Sequence, residues 1–332
     1  MGAASISPED TSRSADWSRI AERGSIWGIR FTAWCYRLLG RRLCLPLVYV
    51  VVGYFFLTDA PGRRASLAYL RRVRAAPGGH EVLSRPPGLR ECFRHYRTFA
   101  LAIVDRLGIW FGRDGEFEFV THGLDYVDRL ADEGRGALIL GSHLGSFDAL
   151  RLLAKRAGSV VNVLMFRANA ERINQVFKEV APDAEAQVIS VDPTSVQSVF
   201  TIRERLRRGE HVAILADRIE VGERDRSLAV PLLGGAVELP QAPILLAGLI
   251  GCPLVSAVAL RDGPGRYQVY VDVLAESVAL PRDRRDAVLA ELLTNYARRL
   301  EHYCLLRPFQ WFNFFDYWRD EAPEAVVREE VE

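Results

Sequence analysis

The stretch GALILGSHLGSFDALRLLAKRAG, from Gly136 to Gly158, constrains the fold more tightly than any other part of the chain. Ala137 to Leu140 is a short apolar run bounded by glycines, the pattern of a buried strand. The period then changes. Phe147, Leu150, Leu152 and Leu153 recur mostly at helical spacing, and Gly158 stands where a helix C-cap belongs. Between strand and helix lies a turn with a histidine and an aspartate, His143 and Asp148. On a regular helix residues so spaced project roughly 140° apart. They meet only if His143 stays in the turn, Ser146 caps the helix and Asp148 occupies its first turn. The carboxylate would then accept from one imidazole nitrogen and leave the other as a base. The plainer reading is a loop histidine and a first-turn acid stabilised by the helix dipole. The small residues Ser142, Gly145 and Ser146 favour a site, because they let a substrate approach the backbone. Exposed amides at the helix start also suit an oxyanion or a phosphate.

On either side of this stretch the chain changes character. Residues 1–24 are small and polar and read as a disordered N-terminus without a secretory-signal pattern. Residues 25–112 read as a helical membrane-associating region. Leu43 to Leu57 is an uncharged run, but a spanning helix needs about 20 apolar residues. Flanking arginines (Arg37, Arg41, Arg42, Arg63, Arg64) and nearby aromatics favour a shallow or tilted anchor over a buried core helix. Ala65–Ala76 and Leu89–Gly112 read as helices, the second strongly amphipathic and carrying a structural or surface His95. From residue 113 to 319 short strands alternate with helices, an α/β domain. Strands are expected at Phe117–Thr121, Ala137–Leu140, Val160–Met165, Gln187–Ser190, Val212–Ala216, Pro253–Ala259 and Tyr267–Val273. Helices are expected at Leu124–Glu133, Phe147–Ala157, Ala170–Val180, Val196–Arg208, Ala242–Ile250 and Arg284–Leu305. Residues 320–332 form an acidic tail.

Further candidates fall at strand ends, where open α/β sheets place their ligands. Arg167 follows one apolar run and suits a phosphate or carboxylate. Asp217 and Arg218 follow another, and either orient a substrate or pair with each other. Pro231–Gly235, with Glu238-Leu239-Pro240 after it, reads as a compact loop leading into a helix. Arg307 to Trp318 is densely aromatic, suited to packing, to a lipid tunnel or to a membrane surface. The net charge of +1 gives no nucleic-acid field, and lysine occurs only at 155 and 178. Five scattered cysteines lack metal or disulfide spacing and fit a reducing compartment. No Gly-x-Ser-x-Gly elbow, Walker loop or dinucleotide fingerprint is present.

In order and spacing, these pieces resemble the lysophospholipid acyltransferase superfamily, and most closely its lipid A biosynthesis (lauroyl/myristoyl) branch. The matching pieces are the HX4D motif of His143 and Asp148, Phe166-Arg167, Asp217-Arg218, the Pro231–Gly235 loop with Leu239-Pro240, and Pro308-x-Gln310-Trp311. The resemblance covers residues 27 to 318. It departs at Asp148, where that branch often has Glu, at Arg218, where it has Gln, and in the residues after Trp311. It implies a mixed central sheet flanked by helices, with an N-terminal anchor at a bacterial inner membrane and the catalytic domain on its cytoplasmic side. It also implies transfer of an acyl chain from an acyl carrier protein or CoA thioester to a hydroxyl or amine of a lipid or glycolipid. His143 would be the base and Asp148 its orienting partner. Ser142, Gly145, Ser146, Arg167, Asp217 and Arg218 would bind substrate, with no cofactor and no metal. Two other classes fit the same residues: a lipid or thioester hydrolase, and a non-catalytic membrane-associated protein of this fold.

Overall fold

A computed structural model of the protein describes residues 26–166, 188–191, 196–219 and 226–318. The expected disordered N-terminus, the helix at Ala170–Val180, Arg167 and the acidic tail lie outside the described residues. The chain begins with α1 (Ile26–Thr58), broken at Gly40, where φ 70 and ψ 179 interrupt the helix. Then come α2 (Ala60–Ala75), the single turn α3 (Gly79–Val82) and α4 (Leu89–Trp110). The α/β part follows as β1 (Glu118–His122), α5 (Asp125–Asp132), β2 (Leu138–Gly141), α6 (Phe147–Arg156), β3 (Val161–Phe166) and β4 (Val188–Val191). It continues with α7 (Val196–Arg207), β5 (His211–Leu215), β6 (Ser227–Leu232), β7 (Gly235–Pro240), α8 (Ala242–Ile250), β8 (Leu254–Gly263), β9 (Arg266–Ala275) and α9 (Arg285–Leu306).

Seven strands form one sheet in the order β1-β9-β8-β2-β5-β3-β4, parallel throughout except for the β8–β9 pair. The fold is therefore α/β with a mixed central sheet, as the sequence predicts. Strand residues alternate between the two faces. Leu138, Leu140, Leu254, Val258 and Leu260 pack with α9 and α8 in the main core. Ala137 and Val255 pack with Leu130 of α5, and Ala259, Tyr267 and Val269 pack with Ala149 and Leu152 of α6. This alternation is the period-2 geometry of a sheet covered on both faces. Tyr69, Leu70 and Val73 of α2 belong to that same main core. The change of secondary structure near residue 113 is therefore no break in packing.

One expectation changes. The Pro231–Gly235 segment is no loop leading into a helix; it is the turn of a hairpin, β6 pairing antiparallel with β7. Leu233 (φ 49) and Gly234 (φ 72) occupy the two turn positions, both with positive φ as a two-residue hairpin turn requires. The usual Asn-Gly cue is missing, because a buried leucine stands in its place. Glu301 accepts from the Leu233 amide at 2.5 Å, and the Trp318 indole donates to the Leu232 carbonyl at 3.0 Å, pinning that turn. The uncharged run at Leu43–Leu57 lies within α1, whose Cys44, Val48 and Val52 face the interior at i, i+4, i+8 spacing. Its other side leaves Val50, Tyr54 and Leu57 exposed. Among the described residues no single helix is long and apolar enough to cross a membrane; Cys44–Thr58 with Ala60–Ala75, bent by 93°, passes that test only as a pair.

Candidate active site

The site follows from one sheet register. β2 and β5 are parallel neighbours with Gly141 opposite Leu215. Two residues beyond each lie His143 and Asp217, at adjacent strand ends about 4.8 Å apart. His143 Nδ1 is 2.8 Å from Asp217 Oδ1, and the His143 backbone amide donates to Asp217 Oδ2 at 2.9 Å. The indole of Trp311 donates to the same Oδ2 at 3.0 Å. The Asp217 side chain is fully buried. Burial alone would raise its carboxyl, but the His143 contact, the nearby Arg218 charge and the Trp311 N–H outweigh it and hold the group well below the usual carboxylate range. An ionised Asp217 can only accept, so Nδ1 of His143 carries the hydrogen and, in the neutral ring, the lone pair lies on Nε2. The His143 side chain is 29% exposed, so that lone pair is reachable. A buried carboxylate fixing the tautomer of a reachable imidazole is the orienting arrangement of a hydrolase triad.

Asp148 is not the partner of His143 in this structure. Ser146 caps α6, its Oγ accepting from the Ala149 amide at 3.2 Å, and Asp148 sits in the first turn, both as expected. Its carboxylate, however, turns toward α4, where Arg106 Nε donates to Oδ2 at 2.7 Å and Trp110 Nε1 to Oδ1 at 2.9 Å. With both oxygens engaged by α4, the neighbouring strand end supplies the partner instead. The amides of the turn are also engaged. Leu144 N donates to Ser142 Oγ at 3.3 Å, Gly145 N to the Gln310 carbonyl at 2.9 Å and Ser146 N to the Ala259 carbonyl at 2.9 Å. With the His143 amide on Asp217, none of these four serves an oxyanion. Ser142, Gly145 and Ser146 thus shape the turn. Gly145 has φ 76, and a Cβ there would stand 2.1 Å from the Ala259 carbonyl oxygen, so the position demands glycine.

The aromatic C-terminal segment completes the site. Residues 310–313 lie across the histidine turn: Leu144 and Trp311 form an antiparallel bridge, and Phe312 N donates to the His143 carbonyl at 3.0 Å. Gln310 fastens the segment to β8 through both the amide and the carbonyl of Arg261. His95 is fully buried behind it, with Nε2 at 2.9 Å from the Trp311 carbonyl and Nδ1 at 2.9 Å from Ser66 Oγ. The carbonyl can only accept, so Nε2 carries the hydrogen and Nδ1 accepts from the serine. Burial lowers the His95 pKa to about 4 and keeps it neutral. Arg218 turns to this segment, donating to Asn313 Oδ1 at 2.7 Å and to the Phe312 carbonyl at 2.9 Å, with its guanidinium 5.1 Å from the Phe315 ring centre. It buttresses the site and does not form an exclusive pair with Asp217.

The structure therefore joins His143 to Asp217, leaves Asp148 on α4, and adds Trp311 and His95, which sequence reasoning did not assign to the site. The signal for Trp311 was its indole N–H, which needs an acceptor once buried. Among the described residues no group of three or more His, Cys, Asp or Glu is placed to hold a metal ion. The family model of bacterial lipid A biosynthesis acyltransferases matches residues 93–320, a span that holds all of these groups except Ser66. No curated protein matches the chain.

Proposed function

The chain belongs to the bacterial lipid A biosynthesis acyltransferase family, and on that premise we propose that His143 is the general base of acyl transfer to a lipid or glycolipid acceptor. The observation that carries this reading is the buried, ionised Asp217 on Nδ1 of the part-exposed His143, which fixes the tautomer whose free nitrogen is Nε2. Nε2 takes the proton from an acceptor hydroxyl or amine as that atom attacks the carbonyl carbon of an acyl thioester. The carbon–sulfur bond breaks, and the imidazolium returns its proton to the departing thiolate. Asp217 stabilises the charged imidazole meanwhile. The thiol belongs to acyl carrier protein or coenzyme A. Arg167, the residue that follows β3, is assigned a phosphate of donor or acceptor.

The exposed apolar side chains of α1 support work at a bilayer surface. Trp34 and Leu38 before the break at Gly40, and Val50, Tyr54 and Leu57 after it, are between 59% and 76% exposed. Aromatic and aliphatic side chains presented on a helix rich in arginine suit the headgroup boundary. We assign the enzyme to the cytoplasmic side of a bacterial inner membrane, where both thioester donors are made.

Mass spectrometry of lipids from cells making wild-type protein or His143→Ala tests the reading. The expected outcome is an acceptor lighter by one acyl chain in the variant. Free fatty acid released by the wild type without an acylated product would point to hydrolysis instead. Identical lipid profiles, with the variant folded, would sink the base assignment.

A further inference from the structure

The carboxylate of Asp105, on α4, is fully buried and holds donors from three other elements. Its Oδ1 accepts from Arg41 Nη2 of α1 at 2.6 Å. Its Oδ2 accepts from Arg261 Nε of β8 at 2.8 Å and from the Tyr267 hydroxyl of β9 at 2.8 Å. Both arginine side chains are only 16% exposed. Charged groups are costly to take out of water, and fixing a geometry is the best attested reason to keep them inside. Arg41 stands immediately after Gly40, where α1 breaks, and lies against the turn between β8 and β9. A Cβ on Gly265 of that turn would stand 3.0 Å from its Nη1.

From Asp105 the contacts continue to the histidine turn without a gap. The Arg261 amide donates to Gln310 Oε1 at 2.8 Å, and the Arg261 carbonyl accepts from Gln310 Nε2 at 2.7 Å. The Gln310 carbonyl accepts from the Gly145 amide at 2.9 Å, and the next residue, Trp311, donates to Asp217. The residue after Asp105, Arg106, holds the other limb of the turn through Asp148. Two consecutive residues of α4 thus grip the turn from both sides. The Asp105 carboxylate also divides its oxygens, one for α1 and one for the sheet. With Arg41 withdrawn, Oδ1 opens, and the planar Arg261 guanidinium can straddle both oxygens as a fork. That rotation moves the residue on whose backbone Gln310 hangs.

We propose that Arg41 and Asp105 form a joint through which α1 positions the histidine turn, Asp105 being a positioning residue for acyl transfer. The inference rests on the acyl-transfer reading and extends its machinery to a helix outside the α/β part.

Nitrogen NMR of isotope-labelled histidine tests the joint without turnover. In full-length wild-type protein the His143 signals, assigned by their loss in His143→Ala, should report hydrogen on Nδ1. Arg41→Gln is the first variant, because Asp105 keeps Arg261 and Tyr267 and the fold is preserved. It should shift His143 toward a mixture of the two tautomers, and Asp105→Asn should shift it further. In cells, acylated lipid formed per folded protein should fall in the same order, by up to about a hundredfold, the loss that a misplacement of about 1 Å can cause. A lower melting temperature with His143 signals and lipid product unchanged overturns the proposal, since the cluster is then only a staple for α1. The two conclusions fail separately. Shifted tautomers in a protein whose His143→Ala variant still acylates lipid keep the joint and lose the base. Unshifted tautomers beside an inactive His143→Ala lose the joint alone.

Discussion

At the scale of single residues the chemistry turns on which carboxylate faces the imidazole. Asp217 accepts from two N–H groups of His143 and from the Trp311 indole, whereas Asp148 is held by Arg106 and Trp110. Asp217→Asn keeps the shape, but its amide can donate to Nδ1, shifting the hydrogen to Nε2 and removing the lone pair that the proposed base needs. The corresponding change in a Ser-His-Asp triad lowers kcat by about 10⁴, and a loss of that order is expected here. Asp148→Asn leaves the tautomer intact and weakens a partly exposed ion pair worth about 0–1 kcal/mol. It should retain far more turnover than Asp217→Asn. Steady-state kinetics of both variants decides the matter: a larger loss in Asp148→Asn would return the orienting role to that residue.

At the scale of elements, the segment from Gln310 to Asn313 acts as a buckle across the loop between β2 and α6. Trp311→Phe preserves ring packing and removes one donor from a buried carboxylate, a hydrogen bond to charge worth about 1.5–3 kcal/mol. The variant should melt at lower temperature and lose kcat with KM little changed; a wild-type melt would show that the indole N–H holds nothing. Why the sequence pointed to part of this and not the rest follows from distance along the chain. The strand before His143, the cap at Ser146 and the helix after it are local patterns, and they were legible. Asp217 was visible as a strand-end residue, but that β5 lies beside β2 depends on strand order, which no local period encodes. Proximity in sequence favours pairing His143 with Asp148, but the α4 donors that divert Asp148 come from outside that window. The hairpin at Leu233 was missed because its turn uses a leucine at positive φ, held there by Glu301 and by Trp318 against the strand before it.

At the scale of the whole molecule, His95 ties α2, α4 and the C-terminal segment together from a fully buried position, and its protonation state is felt as stability. An unfolded histidine titrates near 6.5, and His95 is lowered to about 4. Between those values the unfolded chain binds the additional proton, so stability is complete above about pH 6.5 and falls as the pH drops toward 4. The full shift corresponds to about 3 kcal/mol. Urea unfolding at pH 7 and pH 5 should show the loss, and His95→Gln should flatten it. Buried His211, also lowered by burial, acts in the same sense and leaves a residual slope. A pH dependence identical in the variant would remove His95 from the account. The crossing of the histidine turn by Trp311 has one more consequence, and it concerns time. The ribosome delivers β2, the turn and even Asp217 well before the aromatic segment that holds them in register. A nascent chain therefore carries the histidine turn without its buckle until Trp311, 94 residues after Asp217, has been added.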